Sequence, residues 1–382
     1  MGSAGSTLSA CRAVARLVFW TSAVLLAWTQ AGYGVALALL AGRRPVAARF
    51  EPAPGEALPL VSLIVAAYAE EAVIAAKVAD ALALDWPRDS LEVIVAVDGD
   101  ADATAQRARA AGADVVLELP RGGKVRAQDA GVDRARGELL AFSDANATWA
   151  PDALRRLAAP FADPRVGFAC GRVAFVNEAG TNQEGLYWRY EMWLRGHESA
   201  LASVTAGNGA IYAVRREAYL RSDPRVSHGL ALPFQLVKRG WRAVDVPDAR
   251  ATERMVPSVD GEWRRKRRMM SHAWPMVARG GLLDPRGYPP LYAAMILSHR
   301  ALRYATPFLH LALLAASLRG RRVALAAQLG VLGAAAAGGR SRSRPLLLAR
   351  YYVLTTASIA AGLHDWLRHG TPAGWEPAEG TR

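Results

Sequence analysis

The sequence has 382 residues, 52% of them hydrophobic, and a formal net charge of +13 at pH 7. The length excludes a single small domain, and the hydrophobic share is high for a protein without membrane segments. A positive charge suits nucleic acid, anionic lipid or a phosphorylated substrate. No nucleic-acid-binding motif accompanies it, so we expect lipid or phosphate and no nucleic-acid partner. The two cysteines are too few and too far apart for a disulfide framework or a metal motif.

The N-terminal region carries a long uncharged run. Residues 17–42 contain no charged side chain and are flanked on both sides by arginines. About 20 apolar residues span a bilayer, and the run exceeds the apolar core of a signal peptide. Residues 1–46 are therefore predicted to form an N-terminal transmembrane anchor.

The region from 58 to 285 has the pattern of an α/β domain. Apolar, β-branched runs at 60–68 and 91–98 are separated by a stretch with helical spacing, and a further helix and strand follow. This alternation predicts a parallel, doubly wound sheet. Ligands of such sheets bind beyond the carboxyl ends of the strands, where Asp98 and Asp144 lie.

The C-terminal region becomes apolar again. Residues 286–303 predict an interfacial helix, because prolines begin it and basic residues interrupt it. Three short apolar stretches follow, near 304–318, 323–338 and 346–364. We expect transmembrane helices within 304–365, of undecided number and orientation, and then a tail at 366–382. A bundle of buried soluble helices is the alternative.

The segment FSDANA places a carboxylate at the end of an apolar strand. Asp144 and Asn146 are two residues apart, so both side chains can face the same way in an extended segment. Oxygen ligands of this kind suit Mg²⁺ or Mn²⁺ shared with substrate phosphates. The alternative is that Asp144 caps the helix that begins near Pro151.

Two further segments follow strands. Asp98 precedes a glycine turn and could hold a ribose hydroxyl or a base imide, whereas a plain turn, with Asp102 capping the next helix, is the alternative. Lys124 follows two glycines at the start of a helix, where phosphate is attracted. A solvated basic loop is the alternative there.

Residues 264–268 are five consecutive cations. Such a run is typical of a patch at a membrane surface. It could also close over a diphosphate, with arginines as bidentate anchors. The two interpretations are compatible.

Together and in this order, the motifs resemble glycosyltransferase family 2, and within it the membrane-bound branch that contains cellulose, hyaluronan and ceramide-sugar synthases. The resemblance covers about 58–285 and implies an α/β, Rossmann-like GT-A domain flanked by transmembrane helices. The positions that match donor-binding motifs are Ala67, Tyr68, Glu70, Asp98, Lys124, Asp144, Arg265 and Arg268. Asp144 and Asn146 match the metal-binding element, and Gly207, Asn208 and Gly209 match the acceptor loop. Ala69 replaces the usual Asn, and Met269 replaces the usual Trp.

One departure concerns the general base. The family carries an acidic pair before a helix and a basic-glycine-aromatic segment, but here His228 and Gly229 stand at that place. Three interpretations stay open. His228 could act as the base, Asp223 could approach the acceptor, or the chain is catalytically impaired.

The resemblance implies an inverting, metal-dependent transfer from a nucleotide-sugar donor to a lipid, lipid-linked or polysaccharide acceptor, with Mg²⁺ or Mn²⁺ as cofactor. The alternative is an impaired member that serves as a binding or assembly subunit with partner proteins of glycan synthesis. Because nucleotide sugars are cytosolic, we expect a multi-pass protein of the cell (inner) membrane with its catalytic domain in the cytoplasm.

Overall fold

A computed structural model of the protein describes residues 2–42, 58–99, 101–176, 185–226, 228–254, 259–341 and 343–371. Its strands are β1 (Val61–Ala67), β2 (Leu91–Asp98), β3 (Val115–Leu119), β4 (Leu139–Asp144), β5 (Thr148–Trp149), β6 (Val166–Val176), β7 (Ile211–Arg215) and β8 (Arg242–Arg254). They form one eight-stranded sheet in the order β3-β2-β1-β4-β7-β6-β8-β5. The predicted α/β class is confirmed.

The helices surround this sheet and extend beyond it. They are α1 (Gly2–Ala27), α2 (Tyr33–Ala41), α3 (Ile74–Leu82), α4 (Thr104–Ala110), α5 (Lys124–Arg134), α6 (Ala153–Ala158), α7 (Gly185–Leu201), α8 (His228–Val237), α9 (Val259–Ala278), α10 (Pro290–Met295), α11 (Leu302–Ser317), α12 (Arg322–Ala337) and α13 (Arg344–His369). Two π-helical segments, Trp28–Gly32 and Ile296–Ala301, connect α1 to α2 and α10 to α11.

The sheet is mixed rather than wholly parallel, which corrects the sequence-based expectation. Strands β1 to β4 pair in parallel, but β7 runs antiparallel to both β4 and β6. The reason lies in the connection through α7, which returns the chain to the edge at which β6 ended. Strand β7 therefore starts beside the end of β4, and the loop that precedes it lies next to Asp144.

Strands β1 and β2 are buried along their whole length. Helices cover both faces of a parallel sheet, so its central strands consist of uninterrupted apolar residues rather than an alternating pattern. This burial makes the carboxyl ends of the strands the place where polar side chains of the sheet gather.

Two helical segments among the described residues are long and apolar enough to cross a membrane: Arg12–Ala41 and Arg344–His369. Helix α12 is apolar but shorter. The predicted boundary between an interfacial helix and a first C-terminal span, at 303/304, falls inside α11, because helical structure continues from Pro290 to Ser317. Part of the predicted anchor, 43–46, and most of the predicted tail, 372–382, lie outside the described residues.

A buried polar network joins the N-terminal helices to the sheet domain. The Tyr33 hydroxyl donates to Glu198 Oε1 over 2.7 Å, and His299 Nδ1 lies 2.6 Å from the same oxygen. The other oxygen of Glu198 accepts the Thr205 hydroxyl at 2.9 Å, and Arg300 Nε also donates to that hydroxyl oxygen, at 2.8 Å. Helices α2 and α7, the loop before β7 and the helix from Pro290 are therefore held together around one carboxylate.

The same contact region contains both π-helical segments. Trp28 Nε1 in the first donates to Ser298 Oγ in the second, at 3.1 Å. A π turn widens the helix and shifts the side chains that follow it. In this structure, Tyr33 follows the first widened turn, and His299 lies in the second.

We expect Glu198→Ala to lower the melting temperature strongly, because it leaves the buried hydrogen-bond partners of the carboxylate unsatisfied, which costs about 1–3 kcal/mol for each group. The matched control is Glu118→Ala, which removes the carboxylate of a 57% exposed side chain paired with Arg109. An exposed pair contributes about 0–1 kcal/mol, so the control should melt close to the parent. Thermal unfolding in detergent, followed by circular dichroism, measures both. Equal shifts in the two variants would contradict the assigned role of the network.

Candidate active site

Three predicted motifs meet at the end of β4. The Asp144 carboxylate forms an ion pair with the ammonium group of Lys124, the first residue of α5. Gly209, in the loop before β7, lies over this pair. A Cβ added at Gly209 would stand 3.5 Å from Lys124 Nζ and 4.0 Å from Asp144 Oδ2. The segments predicted to bind metal, phosphate and acceptor therefore surround one small volume.

Asp98 explains how Lys124 is positioned. Its carboxylate accepts the backbone N–H of Gly122 at 2.6 Å and that of Gly123 at 3.0 and 2.9 Å. Gly123 has φ 97°, a conformation that glycine adopts readily, and α5 begins immediately after it. The Asp98 side chain is only 1% exposed. In this structure it shapes the glycine loop rather than facing the open cleft.

The turn after β1 forms the rim of the site. Ala67 ends the strand, and the guanidinium of Arg121 lies over the ring of Tyr68, 3.0 Å from its centroid. Ala69 has φ 52°, in the left-handed region that Asn adopts more readily than Ala. This conformation gives a physical reason for the Asn that the family usually has there. Glu70 is buried, and its backbone N–H donates to the Thr104 hydroxyl at 2.9 Å.

The alternative prediction is that Asp102 caps the next helix, and its side chain does bond to the first residue of α4. Its Oδ1 accepts the backbone N–H of Thr104 at 3.0 Å, and its Oδ2 accepts that of Glu71 at 3.1 Å. Asp102 therefore ties the turn after β1 to the start of α4.

Lys77 supports the Asp144 turn from behind and was not identified from the sequence. Its ammonium group donates to the carbonyl of Ala147 at 2.7 Å and lies 3.3 Å from Asp80 Oδ2. Burial lowers the pKa of Lys77 to about 8. Asp80 Oδ2 also accepts the backbone N–H of Trp149 at 3.1 Å. The two side chains together fix the segment that contains Asn146.

Glu253, on β8, is a second carboxylate at the site and was also missed. Burial and, to a smaller extent, the negative charge of Asp144 raise the pKa of Glu253 to about 7, although Lys124 and Arg265 act in the opposite direction. Oε1 of Glu253 is buried and has no hydrogen-bond partner among the described residues. Buried polar atoms are normally paired, so this oxygen is available to bind a ligand.

The donor set fits a divalent cation only in part. Among the described residues, no group of three or more His, Cys, Asp or Glu side chains is arranged to hold a metal ion. However, Mg²⁺ is commonly bound by one or two carboxylates together with substrate phosphates. Asp144, the half-buried Asn146 and the unpaired oxygen of Glu253 are hard oxygen donors of this type. They therefore fit Mg²⁺ or Mn²⁺ that arrives with a diphosphate.

The acceptor loop is tightly built. Asn208 Nδ2 donates to the carbonyl of Gly171 at 2.6 Å, and its Oδ1 accepts the N–H groups of Ala210 at 3.1 Å and Ile211 at 2.9 Å. The Gly207 N–H donates to the carbonyl of Gly229 at 2.8 Å. These contacts fix the loop against β6 and α8.

His228 and Gly229 occupy the position of the family's acids, at the start of α8. His228 is 2% exposed and lies edge-on to the rings of Phe142 and Tyr219. Burial, assisted by the charge of Lys124, lowers the pKa of His228 to about 3. A Cβ added at Gly229 would stand 2.4 Å from the Asn208 carbonyl oxygen, so this position holds no side chain without displacement of the acceptor loop.

Asp223 is exposed, and its contacts lie within a turn. Its Oδ1 accepts the backbone N–H of Arg225 at 2.9 Å, and its backbone carbonyl accepts that of Val226 at 2.8 Å. As a general base it would have to leave this turn.

The basic run divides along α9. Arg265 pairs with Glu262 through two contacts of 2.7 and 2.8 Å, and its charge reaches Glu253. Arg267 pairs with Asp365 of α13 at 2.5 Å, and Arg268 is exposed. Arg265 therefore lies near the candidate site, whereas Arg267 fastens α9 to α13.

Known proteins are similar to this chain over the same region. Residues 62–223 match the model of the family described as "Glycosyl transferase family 2". A beta-monoglucosyldiacylglycerol synthase of Synechocystis sp. is 31% identical over 210 residues, which are 50% of this chain and 40% of that protein. An N-acetylglucosaminyltransferase of Rhizobium sp. is 28% identical over 231 residues, 54% of this chain and 51% of that protein. The chain thus spans about half the length of these curated relatives.

A solved structure shares the fold over nearly the whole chain. A mannosyltransferase of Pyrobaculum calidifontis, in complex with GDP-Man and Mn²⁺, superposes with a TM-score of 0.70 at 22% identity, covering 92% of this chain and 99% of that one. The sheet thus has the GT-A fold that the resemblance implied, and residues 62–223 match glycosyl transferase family 2.

Proposed function

We propose that the protein transfers a sugar from a nucleotide-sugar donor to a lipid or glycan acceptor at a membrane surface. The observation that carries the proposal is the meeting of Asp144, Lys124 and Gly209 at the end of β4. The similarity to enzymes whose names specify glucosyl and N-acetylglucosaminyl transfer supports it.

The donor diphosphate would bind between Asp144 and the start of α5. Asp144 and Asn146 would hold Mg²⁺ or Mn²⁺, and such an ion, when bound, offsets the charge of the diphosphate. Lys124 would turn from Asp144 to a phosphate oxygen, and Arg265 would approach from α9. Cations fixed where charge develops stabilise the transition state selectively. Tyr68, Arg121 and Glu70 would border the nucleoside end.

The reaction would be a single displacement with inversion. The acceptor oxygen attacks the anomeric carbon, the bond from that carbon to the diphosphate oxygen breaks, and the acceptor proton passes to a base. At neutral pH, His228 is uncharged but a weak base, because its pKa of about 3 is far below the working pH. Asp223 could accept the proton only after leaving its turn.

The close packing at Gly229 favours a second candidate function. With no room for an acid beside the acceptor loop, the chain could bind the donor as an impaired member and serve as an assembly subunit of a glycan synthesis system. Loss of a general base typically costs about 10²–10⁴-fold in rate, so slow turnover remains compatible with this packing.

The membrane part of the proposal rests on the flanking helices. Exposed apolar side chains cover α1 and α2, among them Leu17, Trp20, Val24, Leu39 and Leu40. Arg321 lies over the rings of Phe19 and Trp20, at 3.9 and 5.2 Å, an arrangement suited to the interface between lipid and water. A lipid acceptor and a multi-pass protein of the cell membrane, with its sheet domain in the cytoplasm, agree with these features.

A donor screen tests the proposal. Detergent-purified protein is incubated with UDP- and GDP-sugars and diacylglycerol micelles, with and without Mn²⁺, and the released nucleoside diphosphate is measured. Asp144→Asn should reduce release at least about 100-fold. The control is Asp248→Asn, which removes an exposed carboxylate of β8 and should leave release unchanged. Mn²⁺-dependent nucleotide binding without release from any donor would support the second candidate function. If the protein neither bound a nucleotide nor released a nucleoside diphosphate, both candidate functions would be contradicted.

Gly229→Ala should lower the melting temperature, because its Cβ would stand 2.4 Å from a backbone oxygen. Overpacking of this kind costs about 1–3 kcal/mol, whereas the same change in an open helical position stabilises by about 1 kcal/mol. Gly209→Ala is the matched control for folding, since its nearest non-neighbouring atom would be 3.5 Å away. An unchanged or raised melting temperature of Gly229→Ala would show that the loop yields to a side chain.

The buried His228 makes stability depend on pH. Its folded pKa of about 3 lies below the ordinary value of 6.5, so the unfolded chain binds a proton that the folded chain does not. The contribution of neutral His228 to the free energy of unfolding is fully present above pH 6.5. It is lost as the pH falls below that value, by at most about 1.4 kcal/mol per pH unit. Denaturant unfolding of His228→Phe should show a smaller loss of stability towards acid than the parent. Identical slopes would mean that folding does not lower the pKa of His228.

A further inference from the structure

We propose that Glu253 is a direct ligand of the same divalent cation as Asp144, so that this cation is held between β4 and β8. The inference rests on the proposed function and adds a protein ligand to its donor site. It concerns a residue that none of the sequence motifs includes.

Oε1 of Glu253 is buried without a hydrogen-bond partner among the described residues. Two other buried acids of the sheet have partners for their carboxylates: Glu92 accepts from the Ser62 hydroxyl at 2.6 Å, and Asp98 accepts two backbone N–H groups. Asp245, on the same strand as Glu253, also has one unpaired buried oxygen, but its other oxygen pairs with Arg172 at 2.7 Å. A buried carboxylate oxygen without such a partner is costly unless a ligand supplies one.

Glu253 lies among charged side chains. Four groups act on it electrostatically: Asp144, Lys124, Arg265 and Lys77. The three cations already have other partners, namely Asp144 for Lys124, Glu262 for Arg265, and Asp80 with the Ala147 carbonyl for Lys77. Strand β8 brings Glu253 to the turn after Asp144, because Thr252 pairs with Thr148, and the cations near Glu253 already have partners. A divalent cation between Glu253 and Asp144 would compensate both carboxylates.

The neighbours of Glu253 are those of a metal ligand and not those of a general base for the acceptor. Of the four charged groups that act on Glu253, three are assigned to the donor diphosphate, the fourth, Lys77, holds the turn after Asp144, and none belongs to the acceptor loop or to α8. A base for the acceptor hydroxyl would face that loop. The position of Glu253 therefore points to the diphosphate side of the site.

The backbone supports the same geometry. Glu253 pairs with Phe175 near the end of β8, and α9, which carries Arg265, follows in the chain. Ala249 and Ala251 are buried, and Glu253 continues their alternation on the same face of β8. The strand thus directs this side chain inward rather than to solvent.

The test measures Mn²⁺ binding without turnover. Free Mn²⁺ is titrated by electron paramagnetic resonance against full-length protein in detergent at about pH 8, where Glu253 is ionised. Glu253→Gln should weaken Mn²⁺ binding by at least about tenfold, as loss of a ligand or of its support typically does. Glu253→Asp keeps the charge and should give an intermediate affinity. Asp248→Asn, on the same strand, should bind like the parent.

The titration is made with Mn²⁺ alone and again with saturating UDP or GDP, since a diphosphate supplies further ligands. If Asp144→Asn loses binding while Glu253→Gln retains the parent affinity under both conditions, Glu253 is not a ligand and the proposed function stands. If the parent binds no Mn²⁺ under either condition, the metal-dependent donor site itself fails, and the inference with it. Melting temperatures of all variants identify any that are misfolded, in which case Glu253→Asp decides.

Discussion

The negative charge of Asp144 at the mouth of the sheet is the constraint around which the site is built. A carboxylate there is stable only when cations or N–H groups compensate it. Lys124 does so in this structure, and its position depends on Asp98, which holds the preceding glycine loop through two backbone N–H groups. Lys77 holds the turn that follows Asp144. This arrangement therefore allows Lys124 to release Asp144 and to contact a charged ligand instead.

The acceptor side follows a different logic, in which packing replaces charge. Gly207 donates to the Gly229 carbonyl, and Asn208 uses its amide to bind β6 and the start of β7. Thr205, two residues before Gly207, is held against the N-terminal helices by the buried Glu198 network. The loop beside the donor site is thus coupled to the segments that we propose to lie in the membrane, and its position would depend on theirs.

Local sequence patterns predicted the first half of the domain well, because β1, β2 and β4 are short apolar runs whose carboxyl ends meet. That rule brought Asp144 and Lys124 together correctly. It failed for β7, since nothing in a local pattern shows that α7 returns the chain to the same edge. Glu253 was missed because its strand is polar and irregular, although the alternation with Ala249 and Ala251 carried the signal. Lys77 was hidden in a helical run, where a lysine is normally solvated.

The central claim is that the carboxylates at this edge of the sheet hold a divalent cation together with a diphosphate. Electron–nuclear double resonance on protein-bound Mn²⁺, in the presence of UDP or GDP, tests it most directly. The account predicts a ³¹P coupling typical of a phosphate oxygen bound directly to Mn²⁺, which disappears in Asp144→Asn. A spectrum of protein-bound Mn²⁺ that shows water protons but no ³¹P coupling would contradict it.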